Sequence, residues 1–172
     1  LYVTDEIGFQ NGIARWDGTS WSGLGTGFST GAAVTLCVHA NNLVAGGEFT
    51  DVGGVTANRV AVWDGAAWHA LGEGLIGGPV DAVVSWNSLL VAGGRFTASG
   101  AQPLDGAAYW DGTSWHQMGT NVSSIVYLGA YDGDLFASGV FRLPDNSEIQ
   151  TLAKWNGTDW QILASGTNQY PF

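Results

Sequence analysis

The stretch WDGTSW, at residues 16–21, decides the fold because the chain repeats it. The pattern of a tryptophan, a turn-forming pair and a second tryptophan five residues after the first begins again at Trp63, Trp110 and Trp155. These starting points lie 47, 47 and 45 residues apart. Self-similarity at such a period indicates a repeat architecture, in which every repeat is one supersecondary unit.

Two further elements recur at fixed places before the tryptophan pairs. One is an apolar run that ends in small residues and a phenylalanine, as LVAGGEF (43–49), LVAGGRF (90–96) and LFASGVF (135–141). Each of these phenylalanines stands fourteen residues before the first tryptophan of the next pair. The other is an apolar stretch earlier in the repeat, at 33–38, 80–84 and 125–128. Constant spacing across variable residues predicts the same fold for each repeat.

Short apolar runs with β-branched and aromatic residues, bounded by Gly, Asn and Asp, are typical of strands joined in hairpins. Helical periodicity is absent. One repeat is therefore interpreted as four strands, at 33–39, 43–49, 59–64 and 67–72. A sheet of this size is stable only when it is stacked on its neighbours. The sequence predicts an all-β fold, a β-propeller of four-stranded antiparallel blades.

The repeated residues have structural roles in this interpretation. Asp-Gly tolerates the positive φ of a tight hairpin and turns the third strand into the fourth. The flanking tryptophans are expected to pack between neighbouring sheets, where each ring buries about 150–250 Å². The doublet at 46–47 fits a place where another backbone approaches closely.

The glycine doublet that closes an apolar strand, followed by an aromatic hairpin, resembles the kelch-type propeller repeat. The WDGTSW form with LVAGGEF before it is more similar to the kelch-like repeats of secreted bacterial proteins and of a fungal cell-polarity surface marker. The resemblance implies a propeller fold and an extracellular or cell-surface location. The chain departs from it in the short segment between the paired aromatics, in Ser138-Gly139 and in Asn156-Gly157.

The repeats do not divide the chain evenly. One domain over 1–172 is expected, with repeats at about 1–25, 33–72, 80–119 and 125–163 and a tail at 164–172. Residues 1–7 match a second strand, so the first blade lacks its innermost strand and about three and three-quarter blades are present. Exposed sheet edges favour aggregation. We expect missing sequence or association to complete the ring, since Pro171 opposes a strand in the tail.

Charge and cysteine content exclude several classes of function. Fifteen acidic and five basic side chains give a net charge of −10, which repels phosphate backbones and anionic lipid. No apolar run is long enough to insert into a membrane as a helix. Cys37 is the only cysteine, so an internal disulfide and a multi-cysteine metal site are excluded, and we expect it in the core. Glycosylation sequons begin at Asn121 and Asn156.

The residues suggest binding more than catalysis. His69 and His116 both follow the second tryptophan of a hairpin, and this recurrence favours a strand-surface role over metal binding. No cofactor, metal or catalytic site is predicted. The candidate ligand-binding residues are Glu48, Asp51 and Arg95 beside variable loops, and the repeat-equivalent His39, Trp86 and Tyr131.

The leading hypothesis is a non-enzymatic module that recognises a protein or a glycan through its blade-connecting loops, because turn residues recur while loop residues vary. Two alternatives stay open. The chain could be the propeller of a carbohydrate-active enzyme whose catalytic residues lie in other blades. It could also be a structural half-ring that forms homo-oligomers.

Overall fold

The computed structural model describes residues 2–4 and 12–163, and within these ranges the chain forms strands and no helix. None of the described segments is therefore a helix able to cross a membrane. The first ten strands are β1 (Tyr2–Thr4), β2 (Ile13–Trp16), β3 (Trp21–Gly23), β4 (Phe28–Thr30), β5 (Ala33–His39), β6 (Asn42–Gly47), β7 (Asp51–Val52), β8 (Val55–Thr56), β9 (Val60–Trp63) and β10 (Trp68–Ala70). The next ten are β11 (Val80–Trp86), β12 (Leu89–Gly94), β13 (Ala98–Ser99), β14 (Gln102–Pro103), β15 (Ala107–Trp110), β16 (Trp115–Gln117), β17 (Val122–Tyr131), β18 (Asp134–Arg142), β19 (Glu148–Trp155) and β20 (Trp160–Ile162).

Four antiparallel sheets follow one another along the chain. Sheet 1 has the order β1-β2-β3, sheet 2 has β5-β6-β9-β10, sheet 3 has β11-β12-β15-β16 and sheet 4 has β17-β18-β19-β20. The predicted all-β class and the four-stranded sheets are confirmed. None of these sheets closes on itself.

The segments between the second and third strands are more ordered than the sequence predicts. The segment at 50–58, predicted as a loop, contains the hairpin β7–β8. This hairpin pairs with β4 in a separate small sheet of three strands. Gly53 and Gly54, both at positive φ, form the turn of that hairpin. Strands β13 and β14 form the corresponding hairpin in the next repeat. In sheet 4 the same stretch instead extends the main hairpin, so that Arg142 pairs with Glu148.

The core lies between consecutive sheets rather than inside any one of them. Three buried clusters occupy the three junctions, and their largest buried members include Phe49, Phe96 and Phe141. The first strands β5, β11 and β17 contact one another in chain order. The sheets are therefore stacked face to face, in the order in which they occur along the chain.

An indole clamp joins each sheet to the one before it. We use this term for Trp68, Trp115 and Trp160, the second tryptophans of their hairpins, which are 2%, 1% and 2% exposed. Their Nε1 atoms donate to the backbone carbonyls of Leu24, Leu71 and Met118 at 3.0, 3.0 and 2.9 Å. Every acceptor lies three residues after the second tryptophan of the preceding hairpin. The prediction that these indoles pack between sheets is confirmed.

The first tryptophans of the hairpins are half-buried and lie against the second. The ring centroids of Trp63 and Trp68 are 5.4 Å apart, and those of Trp110 and Trp115 are 5.5 Å apart. Trp110 also covers the preceding sheet's Gly72, where a Cβ atom would stand 3.0 Å from the ring. Both members of a pair therefore contribute to the junction, but only the second is fully buried.

The Asp-Gly pair acts in two ways at the turn. Gly18, Gly65, Gly112 and Gly157 have φ of 111, 103, 103 and 103°, so the glycine alone supplies the predicted positive φ. The preceding side chain accepts hydrogen bonds from two backbone N–H groups of the turn. Asp64 Oδ1, for example, lies 2.8 Å from the nitrogens of both Ala66 and Ala67. The turn is thus an Asx-type turn closed by the carboxylate.

The second glycine of each doublet lies against another backbone, as the sequence predicts. A Cβ atom at Gly47, Gly94 or Gly139 would stand 2.1 Å from the carbonyl oxygen of Ala32, Pro79 or Ser124. No side chain fits this space, so the glycine is required where the first strand of the sheet approaches this closely.

Candidate functional site

The six predicted ligand-binding residues lie at two opposite ends of the sheets. His39 pairs with Asn42 at the end that carries the hairpin turns, which we call the turn end. Glu48 follows Gly47, which pairs with Ala33 at the other end, and we call this the loop end. A six-residue strand separates the two by about 20 Å. The structure therefore places Glu48, Asp51 and Arg95 together at the loop end, and His39, Trp86 and Tyr131 at the turn end.

The charged residues of the loop end interact with their own neighbours. Ser29 Oγ donates to Asp51 Oδ1 at 2.6 Å. The exposed Arg95 pairs through Nε with Asp81 at 3.3 Å. Glu48 is exposed, and its backbone N–H donates to the carbonyl of Ala32. These contacts do not bring the three side chains to one point.

The residues of the turn end reach from one sheet to the next. His39 Nδ1 lies 2.9 Å from Ser85 Oγ in sheet 3, and burial lowers the pKa of the imidazole. Trp86 Nε1 donates to the carbonyl of Gly133 in sheet 4 at 2.7 Å. Tyr131, the equivalent residue in sheet 4, is 78% exposed.

A cavity of about 340 Å³ opens between sheets 2 and 3 at the turn end. His39 lies on its rim, and Val44, Val62 and Leu90 form an apolar floor. The ring of Trp110 also lines it. Its size is at the lower limit for small-molecule sites, which usually combine an apolar lining with a few polar groups.

The position of His39 on the rim is taken by a larger residue in the next junction. At the equivalent position in the next junction, the larger Trp86 reaches Gly133 and bridges sheets 3 and 4. The sequence singled out His39, but it predicted Trp110 only as a residue packed between sheets and Asp111 only as a turn residue, although both line the cavity. The repeat gave no signal for a second role, because a tryptophan followed by Asp or Asn recurs at every one of these turns.

The two histidines that follow the clamp residues pair with turn aspartates. His69 Nε2 is 2.8 Å from Asp64, and His116 Nε2 is 2.7 Å from Asp111. Ser114 Oγ lies 3.2 Å from the same nitrogen of His116. A catalytic triad requires the acid and the hydroxyl on different ring nitrogens. This arrangement is therefore not a triad, and it fits the predicted surface role.

The turn aspartates are held in the ionised state. The backbone N–H groups of Ala67 and Ala66, and then His69, lower the pKa of Asp64 to about 2. The pKa of Asp111 is lowered for the same reason, first by the N–H groups of Ser114 and Thr113. These carboxylates are strong acceptors that are already used, and a low pKa makes them poor general bases at neutral pH.

Cys37 is half-buried, where the sequence predicts a fully buried residue. It packs against the cluster between sheets 2 and 3, and burial raises the pKa of its thiol to about 12. A protonated thiol is a poor nucleophile and a poor metal ligand. Within residues 2–4 and 12–163, no group of three or more His, Cys, Asp or Glu side chains is placed to hold a metal ion.

The two sequon asparagines have different environments. Asn121 donates through Nδ2 to the carbonyl of Trp160 at 2.9 Å, and its buried Oδ1 has no partner. Asn156 is exposed and uses Oδ1 to accept from the N–H groups of Thr158 and Asp159. Asn156 is therefore the accessible one of the two.

A scan against protein-family models found no match to this chain, and a search of curated proteins found none either. The resemblance to kelch-like repeats stays a prediction from the sequence.

Proposed function

We propose that the chain forms part of a kelch-like β-propeller. Four sheets stacked in chain order, neighbouring first strands and an indole clamp repeated at each junction support this proposal. Blades of a propeller are related in this way around a central channel. The resemblance to secreted repeat proteins supports an extracellular or cell-surface location.

The module is a non-enzymatic binding protein that takes a glycan or a protein side chain. The observation that supports this function best is the cavity between sheets 2 and 3. Its apolar floor and its rim of His39, Asn42 and Asp111 suit a ring that has one apolar face and several hydroxyl or amide groups. This proposal uses the predicted candidate His39 at the turn end, whereas the blade-connecting loops that the sequence favoured lie at the loop end.

The substitution His39→Trp tests this proposal because it copies Trp86 of the next junction. The larger ring is expected to fill the cavity without unfolding the protein. We expect the wild-type protein to bind members of an oligosaccharide and peptide array, and His39→Trp to lose at least ten-fold in affinity for the same members.

The matched control is Asp51→Asn at the loop end, about 20 Å from the cavity. It should leave array binding unchanged. Equal binding by wild type and His39→Trp, with both proteins folded by circular dichroism, would refute a site in this cavity. Loss of binding in Asp51→Asn alone would place recognition at the loop end.

A further inference from the structure

A second cavity, of about 320 Å³, lies between sheets 2 and 3 beside their last strands, β10 and β16. We call it the outer cavity. Gly72 and Glu73, which follow β10, form one wall. The turn of the hairpin β13–β14, with Gly100, forms another, and Trp110 and Trp115 form the third. All of these walls belong to two complete four-stranded sheets and their connections, so the cavity does not depend on further blades.

The outer cavity is open because the tip of the hairpin β13–β14 packs against Glu73. In the preceding junction, a Cβ atom at Gly53 of β7–β8 would stand 2.8 Å from the clamp residue Trp68. Gly100 is the equivalent tip residue, and the three atoms nearest to a Cβ placed there all belong to Glu73, the first at 3.0 Å. The tip therefore lies on Glu73, and the space beside Trp115 stays open.

The carboxylate of Glu73 is exposed and makes no hydrogen bond or ion pair with any residue of 2–4 or 12–163. Thr120 occupies its position in the next junction, where Oγ1 donates to Asp159 Oδ2 at 2.7 Å. The equivalent of Asp159 in sheet 3 is Ser114, whose Oγ lies 3.2 Å from His116 Nε2 instead. The bond that crosses the next junction is therefore not made here, and a carboxylate is left over.

The lining of the outer cavity suits a cation. None of the residues that line it is basic, and its polar members are Glu73, Ser99, Gln102, Thr113 and Ser114. The half-buried Trp110 adds an aromatic ring, which attracts a cation placed over its face. The net charge of −10 draws basic partners to the chain over a longer distance.

We infer that the outer cavity binds an arginine side chain presented by a protein partner. A guanidinium group is planar, so it stacks on an indole ring and donates paired hydrogen bonds to a carboxylate. Trp110 provides the ring and Glu73 the carboxylate. The hydroxyl groups of Thr113 and Ser114 accept from the remaining N–H groups. This site is separate from the cavity at His39 and does not rest on the function proposed for that cavity, although Trp110 lines both.

Titration of the whole chain with N-acetyl-arginine amide tests the inference, with the indole N–H resonances of Trp110 and Trp115 as the readout. Saturable shifts are expected with a Kd of about 1–10 mM, because the compound supplies only one side chain of the partner. N-acetyl-citrulline amide has the same shape without the charge and should bind at least ten-fold more weakly. Added salt should weaken the binding of the arginine compound.

Glu73→Gln keeps the size of the side chain and removes its charge, so it should weaken arginine binding at least ten-fold. Glu73→Thr, which copies Thr120 of the next junction, should give the same loss. The matched control is Glu48→Gln, which removes an exposed carboxylate at the loop end and should leave the affinity unchanged. His39→Trp should also leave it unchanged, so the two proposed sites can fail separately.

Three results would overturn the inference. One is equal binding of the arginine and citrulline compounds, or binding of a methyl glycoside in place of both. Another is an equal loss of affinity in Glu73→Gln and Glu48→Gln, which would show a general effect of net charge. The third is the absence of any shift of the two indole resonances up to about 100 mM of the arginine compound.

Discussion

At the scale of single residues, hydrogen bonds from the turn backbone explain why the residue before each turn glycine is Asp or Asn. The glycine of each pair could be predicted from the hairpin spacing, because only glycine adopts its φ without strain. The role of the aspartate was predicted incompletely, since its hydrogen bonds depend on where the next two N–H groups point. Asn156 shows that an amide oxygen does the same work, as it accepts from Thr158 and Asp159.

Asp64 should make the free energy of unfolding depend on pH in the acid range. Its folded-state pKa of about 2 lies below the ordinary value of 3.8, so the unfolded chain binds more protons between these values. The stabilisation is complete above pH 3.8 and is lost as the pH falls towards 2. Urea unfolding between pH 2 and 5 should show that the free energy of unfolding falls less steeply with falling pH in Asp64→Asn than in the wild type.

A matched variant separates charge from hydrogen bonding at this turn. Asp64→Ala removes the acceptor for two N–H groups and should lower the melting temperature at pH 7 by several degrees, while Asp64→Asn should lower it less. Equal melting temperatures for Asp64→Ala and the wild type would show that these hydrogen bonds do not stabilise the fold.

At the scale of the sheet junctions, the indole clamp is the part of the fold that the sequence predicted best. The five-residue spacing indicated rings on adjacent strands, and the structure places three of them between sheets. The hydrogen bond to the preceding sheet could not be predicted. Its acceptor is a backbone carbonyl, such as that of Leu71, and every residue has one.

Trp115→Phe should destabilise the protein by about 2–4 kcal/mol, because it leaves a cavity and removes the buried indole bond to Leu71, whose carbonyl then keeps only the N–H of Gly74. Trp86→Phe is the matched control, since it removes a similar bond to Gly133 at an exposed place. Urea unfolding should give a clearly smaller loss for the control. Equal losses would contradict the clamp.

The glycine after the clamp acceptor Met118 should tolerate no side chain. A Cβ at Gly119 would lie 2.7 Å from Trp160, whereas at Gly157 it would meet nothing within 4 Å. Both have positive φ, at 87° and 103°, so the backbone strain of alanine is similar. Thermal unfolding should therefore show Gly119→Ala to be less stable than Gly157→Ala, and the reverse order would be incompatible with the packing at this junction.

At the scale of the molecule, the repeat period predicted the number and order of sheets, because each repeat can bury its faces only against the next. The hairpins β7–β8 and β13–β14 were missed, since strands of two residues have no periodicity to detect. The division of the candidate residues between two ends was also missed. It could have been derived from the predicted antiparallel strands at 33–39 and 43–49, because His39 ends the first and Glu48 lies near the end of the second.

The cavity at His39 could not be predicted in this way. The sequence placed His39 and Trp86 at one structural position. Whether their difference in side-chain size leaves a cavity depends on the distance between the two sheets, which the sequence does not give. Packing between repeats therefore determines the site, while the repeat itself determines the fold.

Hydrogen exchange at the indole N–H groups, followed by nuclear magnetic resonance in heavy water, tests the central claim most directly. The claim is that the second tryptophan of each hairpin holds consecutive sheets together through a buried bond. Trp68, Trp115 and Trp160 should exchange far more slowly than Trp86, whose bond is exposed. Exchange of these three as fast as that of Trp86, under conditions where the protein is folded, would contradict the account.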